Sequence, residues 1–352
     1  MTAHASAFRL QNLRRWPAVC GILLLGGAVI AAAAWQGPAL SRAWLVAFGV
    51  WSCVPVGSMM LLLIHSLTGG RWGEESATIL RPSAALTSVV AIAFLPILVN
   101  FGQLYPRAHA ASSLAQDVAQ RYLNGQGYAF RAALALCGWW ILGTTFALGK
   151  MRPLLAGLGL AFYGAMISLV AVDWYLSLEP RYVASAFPAT IAIQQLAAAL
   201  AFVAVFAAPS LDESVASDIG ALLLAALLGV VYLEFMTYLV AWYGDLPDKA
   251  AWYLKRSSFV WTAIIVLAFV LGAVLPFCIL LLRKGRRSRH GLQSAGALVL
   301  FGSTLHFDWL LVPAFEDQVN VVVVGTGALA ILSVGSMLVG SALIPEASHV
   351  RS

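Results

Sequence analysis

Asp173, Glu234, His306 and Asp308 are ionisable residues within long apolar runs or at their ends, and His65 lies at the end of a further run. An ionised side chain at the centre of a transmembrane helix costs about 2.5–3.5 kcal/mol on insertion scales, so such a residue should face a bundle interior, a partner or water. Carboxylates and imidazoles at this depth can hold and pass on protons or bind a polar ligand. We therefore treat the first four of these residues as candidates for a proton path.

Glu234 is the deepest of the four, near the middle of its apolar run, and Tyr232 and Tyr238 flank it. Desolvation would keep its carboxyl group protonated, whereas a nearby donor would ionise it. Two interpretations stay open. Glu234 acts as a proton carrier or as a ligand for a quinol hydroxyl, or it makes a structural hydrogen bond between helices.

His306 and Asp308 are two positions apart, which places them about 200° apart around a helix. They therefore point to different faces and do not form one catalytic pair. His306 lies past the middle of its run toward the same end at which Asp173 lies. From this shared depth we expect Asp173, Glu234 and His306 to line an outward-facing half-channel.

The elements that carry these residues are apolar enough to be dissolved in lipid. Of the 352 residues, 61% are hydrophobic and only 36 are charged, and the mean hydropathy is +0.87. A soluble chain has about a quarter of its residues charged, so this composition excludes a soluble globular domain. Ten runs are long enough for transmembrane helices, and the chain is predicted to be one all-α integral membrane domain, 1–352. The runs are 17–36, 42–66, 84–104, 131–148, 153–176, 187–208, 218–243, 258–282, 294–312 and 321–344.

The distribution of Lys and Arg predicts that both termini are cytoplasmic, because 13 of the 21 then fall on the cytoplasmic side. The basic loop 283–289 supplies most of this asymmetry. It also accounts for much of the net charge of +6, which favours a cytoplasmic anchor over nucleic-acid binding. We expect the first run to be an uncleaved helix, and 105–130 to hold either a short surface helix or a plain connector.

Several kinds of redox or nucleotide site are not indicated. The four cysteines lie inside apolar runs without C-x-x-C spacing, which argues against an iron–sulfur cluster or covalent haem attachment. His65 and His306 are at different depths, so they do not suit the two axial positions of a membrane haem. No metal-ligand cluster or nucleotide-binding motif is present. Any redox centre is therefore expected on a partner or on a diffusible lipid.

Three motifs lie at the ends of the runs. His65-Ser-Leu-Thr-Gly-Gly-Arg71-Trp72-Gly follows the second run, Asp173-Trp-Tyr-Leu-Ser-Leu-Glu179-Pro-Arg-Tyr ends the fifth, and Tyr238-Leu-Val-Ala-Trp242-Tyr-Gly-Asp-Leu-Pro ends the seventh. Together they resemble the F subunit of bacterial alternative complex III, a quinol:cytochrome c oxidoreductase. The membrane subunits of that complex belong to the polysulfide reductase membrane subunit (NrfD-like) superfamily.

The resemblance implies ten helices arranged as two four-helix bundles with flanking helices. It implies three partners: a related ten-helix membrane subunit, a multihaem cytochrome c and an iron–sulfur protein. The matching motif positions are His65, Arg71, Trp72, Glu179, Tyr238 and Trp242. Within the family the related subunit is the better candidate for oxidising quinol, so this chain is expected to contribute scaffold and a proton path.

These inferences predict a membrane subunit of a quinol-oxidising respiratory complex in the bacterial inner membrane. It would carry no redox centre of its own, would contact membrane lipid and quinone or quinol, and would rely on the haem and iron–sulfur clusters of its partners. Two alternatives remain open: a secondary transporter, and a structural anchor for a molybdenum or haem enzyme. A transporter should show matched Gly- or Pro-broken helices in two halves, and no matched pair is evident.

Overall fold

The computed structural model describes residues 2–34, 37–105, 125–149, 152–208 and 211–343. Within these ranges ten helices are long and apolar enough to cross a membrane, and no strand is formed. The prediction of an all-α, multi-pass membrane protein is confirmed. The helices are α1 (Thr2–Ala34), α2 (Pro38–Thr68), α3 (Arg71–Val99), α4 (Gly125–Ala147), α5 (Pro153–Trp174), α6 (Phe187–Phe206), α7 (Glu213–Tyr243), α8 (Phe259–Leu281), α9 (Arg289–Leu311) and α10 (Gln318–Leu343).

A large difference from the predicted spans is the start of α3, which lies at Arg71 and not near residue 84. Gly69 and Gly70 have positive φ angles of 67° and 102°, which lets the chain turn sharply and begin a new helix at once. The first turns of α3 are polar, and for this reason hydropathy alone did not detect them. The surface helix considered for 105–130 falls mainly on residues outside the described ranges.

Two four-helix bundles lie side by side, as expected. In the first bundle α2 packs against α3, α4 and α5, and in the second α6 and α8 both pack against α9, while α7 packs against α6. The bundles meet mainly where α2 crosses α6. Helices α1 and α10 pair with each other outside the bundles, and α10 also lies along α2.

The basic segment Arg283–Arg287 forms a short helix between α8 and α9. We call the face of the protein at this segment the inner face, and the opposite face the outer face. Along this axis α7 and α9 run from the inner to the outer face, whereas α6 and α8 run in the opposite direction.

Candidate functional site

A cavity of about 700 Å³ opens in the outer half of the second bundle, between α6, α7, α8 and α9. Most of its wall is apolar, with side chains such as Leu227, Ile265 and Phe269. Four polar side chains gather on one wall: Gln194, Glu234, Ser303 and His306. The sequence predicted Glu234 and His306 as candidates at similar depth, and the structure brings them into contact.

Glu234 Oε1 lies 3.1 Å from His306 Nε2. The two atoms are close enough for an ion pair, yet Nε2 has no hydrogen bond of acceptable geometry among the described residues. His306 is buried, while the Glu234 side chain is 33% exposed. The pair therefore presents one nitrogen and one carboxyl group to the cavity, both able to bind a further polar atom.

Gln194 contacts the other ring nitrogen of the histidine. Its Nε2 lies 3.2 Å from His306 Nδ1, and its Oε1 accepts a hydrogen bond of 3.4 Å from Ser303 Oγ. In this orientation the amide nitrogen faces Nδ1, and a neutral ring that accepts a hydrogen bond there carries its proton on Nε2. The ring thus directs an N–H group toward Glu234 and the cavity.

Helix α8 reaches this wall through a turn of π-helix, Val270–Val274. Its Gly272 crosses Gly302 of α9 so closely that a Cβ on Gly302 would lie 2.2 Å from the Cα of Gly272. No larger residue fits this crossing. A π turn widens the helix locally, and such turns are frequent at functional sites.

A buried arginine closes the outer end of the cavity. Arg256 is 2% exposed and donates hydrogen bonds to the backbone oxygens of Trp309 (3.2 Å) and Leu310 (2.8 Å), and its Nη2 lies 2.6 Å from Glu179 Oε2. Its guanidinium lies 3.5 Å from the ring centre of Trp252. Because Trp309 stacks on His306, with ring centres 6.1 Å apart, Arg256 holds the end of α9 that carries the histidine.

Glu179, a motif position, is the acidic partner of this arginine and also of Lys255, whose Nζ lies 2.9 Å from Oε1. Burial alone would raise the pKa of Glu179, but the charge of Arg256 and the hydrogen bonds from both cations outweigh it and lower the pKa below the usual value. This role of Arg256 was not predicted from the sequence. Glu179, the acidic residue in the loop after α5, was the signal from which a cationic partner could have been predicted, because a buried carboxylate requires a cation.

Asp173 does not join the Glu234–His306 pair. It lies in the first bundle, where Arg131 Nε is 2.5 Å from its Oδ2 and Arg131 Nη2 is 2.9 Å from its Oδ1. The contact ties α4 to α5. Beside it Tyr128 donates to Tyr105, which in turn donates to the backbone oxygen of Trp174.

Asp308 points away from His306, as the spacing predicted. It shares a helix face with Leu300 and Thr304, and its carboxylate makes no hydrogen bond or ion pair with the part of the chain that the structure describes. Leu300 and Thr304 line a second cavity, of about 600 Å³, in the inner half of the protein between the two bundles and α10. Ser303 lines both cavities.

The remaining motif positions lie in two places. At the inner face the buried ring of His65 meets Trp72 edge to face at 5.3 Å, and Arg71 contacts Glu75 (3.0 Å) and Asp212 (2.6 Å). These contacts fasten the α2–α3 turn to the start of α7.

Near the outer face, Tyr238 lines the outer cavity and packs against Tyr253. Trp242, one turn further along α7, is 71% exposed and stacks on Tyr238. This position is typical of an aromatic side chain at a membrane interface.

The described residues contain no group of three or more His, Cys, Asp or Glu side chains that could hold a metal ion. Comparison with protein-family models finds no family that matches this chain. Comparison with curated proteins likewise finds no match. Arguments about function therefore rest on the residues and their geometry.

Proposed function

We propose that this chain is a membrane subunit of a quinol-oxidising respiratory complex of the alternative complex III type. The observation that carries the proposal is the Glu234–His306 pair on the wall of the outer cavity. A quinol needs an apolar space for its ring and tail together with a donor and an acceptor for its two oxygens. The cavity offers both within one bundle.

In the proposed reaction a quinol oxygen lies next to His306 Nε2 and Glu234. Oxidation of a quinol releases two electrons and two protons. The carboxylate of Glu234 accepts a proton from a quinol hydroxyl, and the outer position of the cavity directs protons to the outer side. The electrons pass to the haem and iron–sulfur clusters of partner subunits, which supply the redox centres.

The placement of the two cavities supports a further part of the proposal, proton movement across the membrane. One cavity lies in the inner half and the other in the outer half, and Ser303 contributes to the wall of each. From Ser303 a continuous series of side-chain contacts leads through Gln194 and His306 to Glu234. The imidazole and carboxyl groups of this series can hold and pass on protons, and the hydroxyl and amide groups hold the imidazole in place.

The test uses the whole assembly isolated through a tag on this chain in mild detergent. The proposal expects a multihaem cytochrome c, an iron–sulfur protein and a related membrane subunit to co-purify with quinol-oxidising activity. Glu234→Gln should lower turnover about a hundredfold, the contribution of a general base. Asp248→Asn, on the exposed short helix Pro247–Leu254, is the matched control and should retain activity.

A second variant tests the cavity itself. Val230→Phe adds a ring to the wall of the outer cavity, so it should reduce the quinone that co-purifies with the complex. Isolation without redox partners, or wild-type turnover in Glu234→Gln, would refute the proposal. Intact association with a redox enzyme but unchanged activity in both variants would instead indicate the structural anchor.

A secondary transporter is the second candidate, and the two cavities in opposite halves favour it, because alternating access uses sites reached from each side. In this case the chain isolated alone and placed in vesicles should accumulate solute or move protons. It would do so without quinol or redox partners.

A further inference from the structure

The inner face carries a compact basic turn formed by the helix Arg283–Arg287 and the start of α9. Five of seven successive residues are cationic: Arg283, Lys284, Arg286, Arg287 and Arg289. None of these five side chains has an ion pair with a carboxylate in the described ranges. Like charges so close together repel one another, and no carboxylate of the described residues offsets this repulsion. An anion bound here would reduce it.

The turn is held in one shape by close backbone contacts. A Cβ on Gly285 would lie 1.9 Å from the backbone oxygen of Ile279, and a Cβ on Gly291 would lie 2.4 Å from that of Gly285. Ser288 caps α9 by accepting a hydrogen bond from the backbone nitrogen of Gly291. The cations are therefore presented by a folded platform, and binding does not have to order a flexible loop.

Arg286 is fixed against the neighbouring helix. Its aliphatic part lies over Gly220 of α7, where an added Cβ would come within 3.0 Å of Arg286 Cγ. Its Nε is buried and has no hydrogen-bond partner among the residues described. A buried N–H without an acceptor is costly, and a bound oxygen anion would satisfy it.

Apolar surface lies directly on the membrane side of these charges. Leu281 and Leu282, at the end of α8, are both more than half exposed and immediately precede Arg283. Cations at the level of the headgroups next to exposed leucines at the level of the acyl chains match the two parts of a phospholipid. Guanidinium groups also bind phosphate oxygens in pairs.

We propose that the segment from Arg283 to Arg289 is a binding site for the phosphate headgroup of an anionic phospholipid, whose acyl chains lie along Leu281 and Leu282. Free phosphate could contact the same guanidinium groups but gains nothing from the leucines. A neutral zwitterionic lipid has the apolar part but carries its own cation. The site therefore distinguishes the three ligands by charge and by apolar contact.

The full-length protein is purified in mild detergent, washed and mixed separately with phosphatidylglycerol, phosphatidylcholine and inorganic phosphate. Binding is followed by mass spectrometry of the intact protein and by thermal unfolding. The double variant Lys284→Gln, Arg287→Gln changes two exposed side chains and should fold normally. The control, Arg181→Gln, Lys249→Gln, removes the same number of cations from the outer side, one of them exposed and the other half-buried.

Wild type and control should retain phosphatidylglycerol and unfold at a higher temperature in its presence. The double variant should bind phosphatidylglycerol about tenfold more weakly, and Arg286→Gln should also weaken the binding of this lipid. Equal retention by the double variant, equal retention of phosphatidylcholine by wild type, or stabilisation by phosphate as strong as that by the lipid would each overturn the proposal.

Discussion

Arg131 and Asp173 form a bidentate ion pair between α4 and α5, with Nε 2.5 Å from Oδ2 and Nη2 2.9 Å from Oδ1. Asp173 is only 1% exposed, and the arginine side chain is largely buried. Asp173 occurs at the depth at which a proton-carrying residue was expected. Its geometry instead favours an ion pair that holds two helices together.

Asp173→Asn should destabilise the protein by about 3–5 kcal/mol, because it removes the carboxylate charge that pairs with the buried guanidinium of Arg131. Thermal unfolding in detergent measures the loss, with Asp248→Asn as the exposed control. Replacing both partners, in Arg131→Met, Asp173→Met, should recover much of the lost stability. The attraction within a buried ion pair is largely offset by the cost of removing both charges from water. A stable Asp173→Asn protein that has lost proton release would instead support the half-channel role.

Stability should also depend on pH through Glu179. Its pKa is lowered in the folded protein, so its contribution is fully present above the pKa of the unfolded chain, which is about 4.5. That contribution is lost as pH falls from about 4.5 through the lower folded value. The free energy of unfolding, measured between pH 7 and pH 3, should decline in wild type and decline less in Glu179→Gln. An equal dependence of this free energy on pH in the two proteins would contradict the prediction.

Much of the fold follows from the sequence because each membrane helix is encoded locally by about 20 apolar residues. The ten runs were predictable in this way. The glycine turn before Arg71 and the separation of His306 from Asp308 also follow from local sequence, through the glycines and through helical periodicity. The start of α3 was not, since Glu74 and Glu75 lower its hydropathy although they lie at the inner face.

The site was harder to predict because it depends on how the helices are rotated against one another. Glu234 and His306 are 72 residues apart and Arg131 and Asp173 are 42 apart, and no local pattern links either pair. One signal was missed. The dipeptide Asp-Trp occurs at 173–174 and at 308–309, near the outer ends of α5 and α9, the fourth helix of each bundle. This repetition marks equivalent positions, although only Asp173 has an ionic partner in the described structure.

The crossing of α8 and α9 predicts a strong effect of one methyl group. In Gly302→Ala the new Cβ would meet the backbone of Gly272, which cannot move aside as a side chain can. Overpacking of this kind costs about 1–3 kcal/mol or more, and it should also displace α8 from the cavity wall. Gly164→Ala, with no atom within 4 Å of its Cβ, is the control and should unfold at or above the wild-type temperature.

Gln194 should control the reactivity of His306 through its contact with Nδ1. In Gln194→Leu the hydrogen bond to Nδ1 is lost, so the ring is free to carry its proton on either nitrogen. Loss of a hydrogen bond worth about 1.4 kcal/mol would lower quinol oxidation about tenfold, because a ring that carries its proton on Nδ1 presents no N–H group to the cavity. Gln293→Leu, at the inner end of α9, the helix that carries His306, removes an amide that donates to Val205 and should leave the rate of quinol oxidation unchanged. The rate is expressed per folded complex in each variant. An unchanged rate per folded complex in Gln194→Leu would show that Gln194 only supports packing, because a structural defect reduces the amount of active enzyme and not the rate of each molecule.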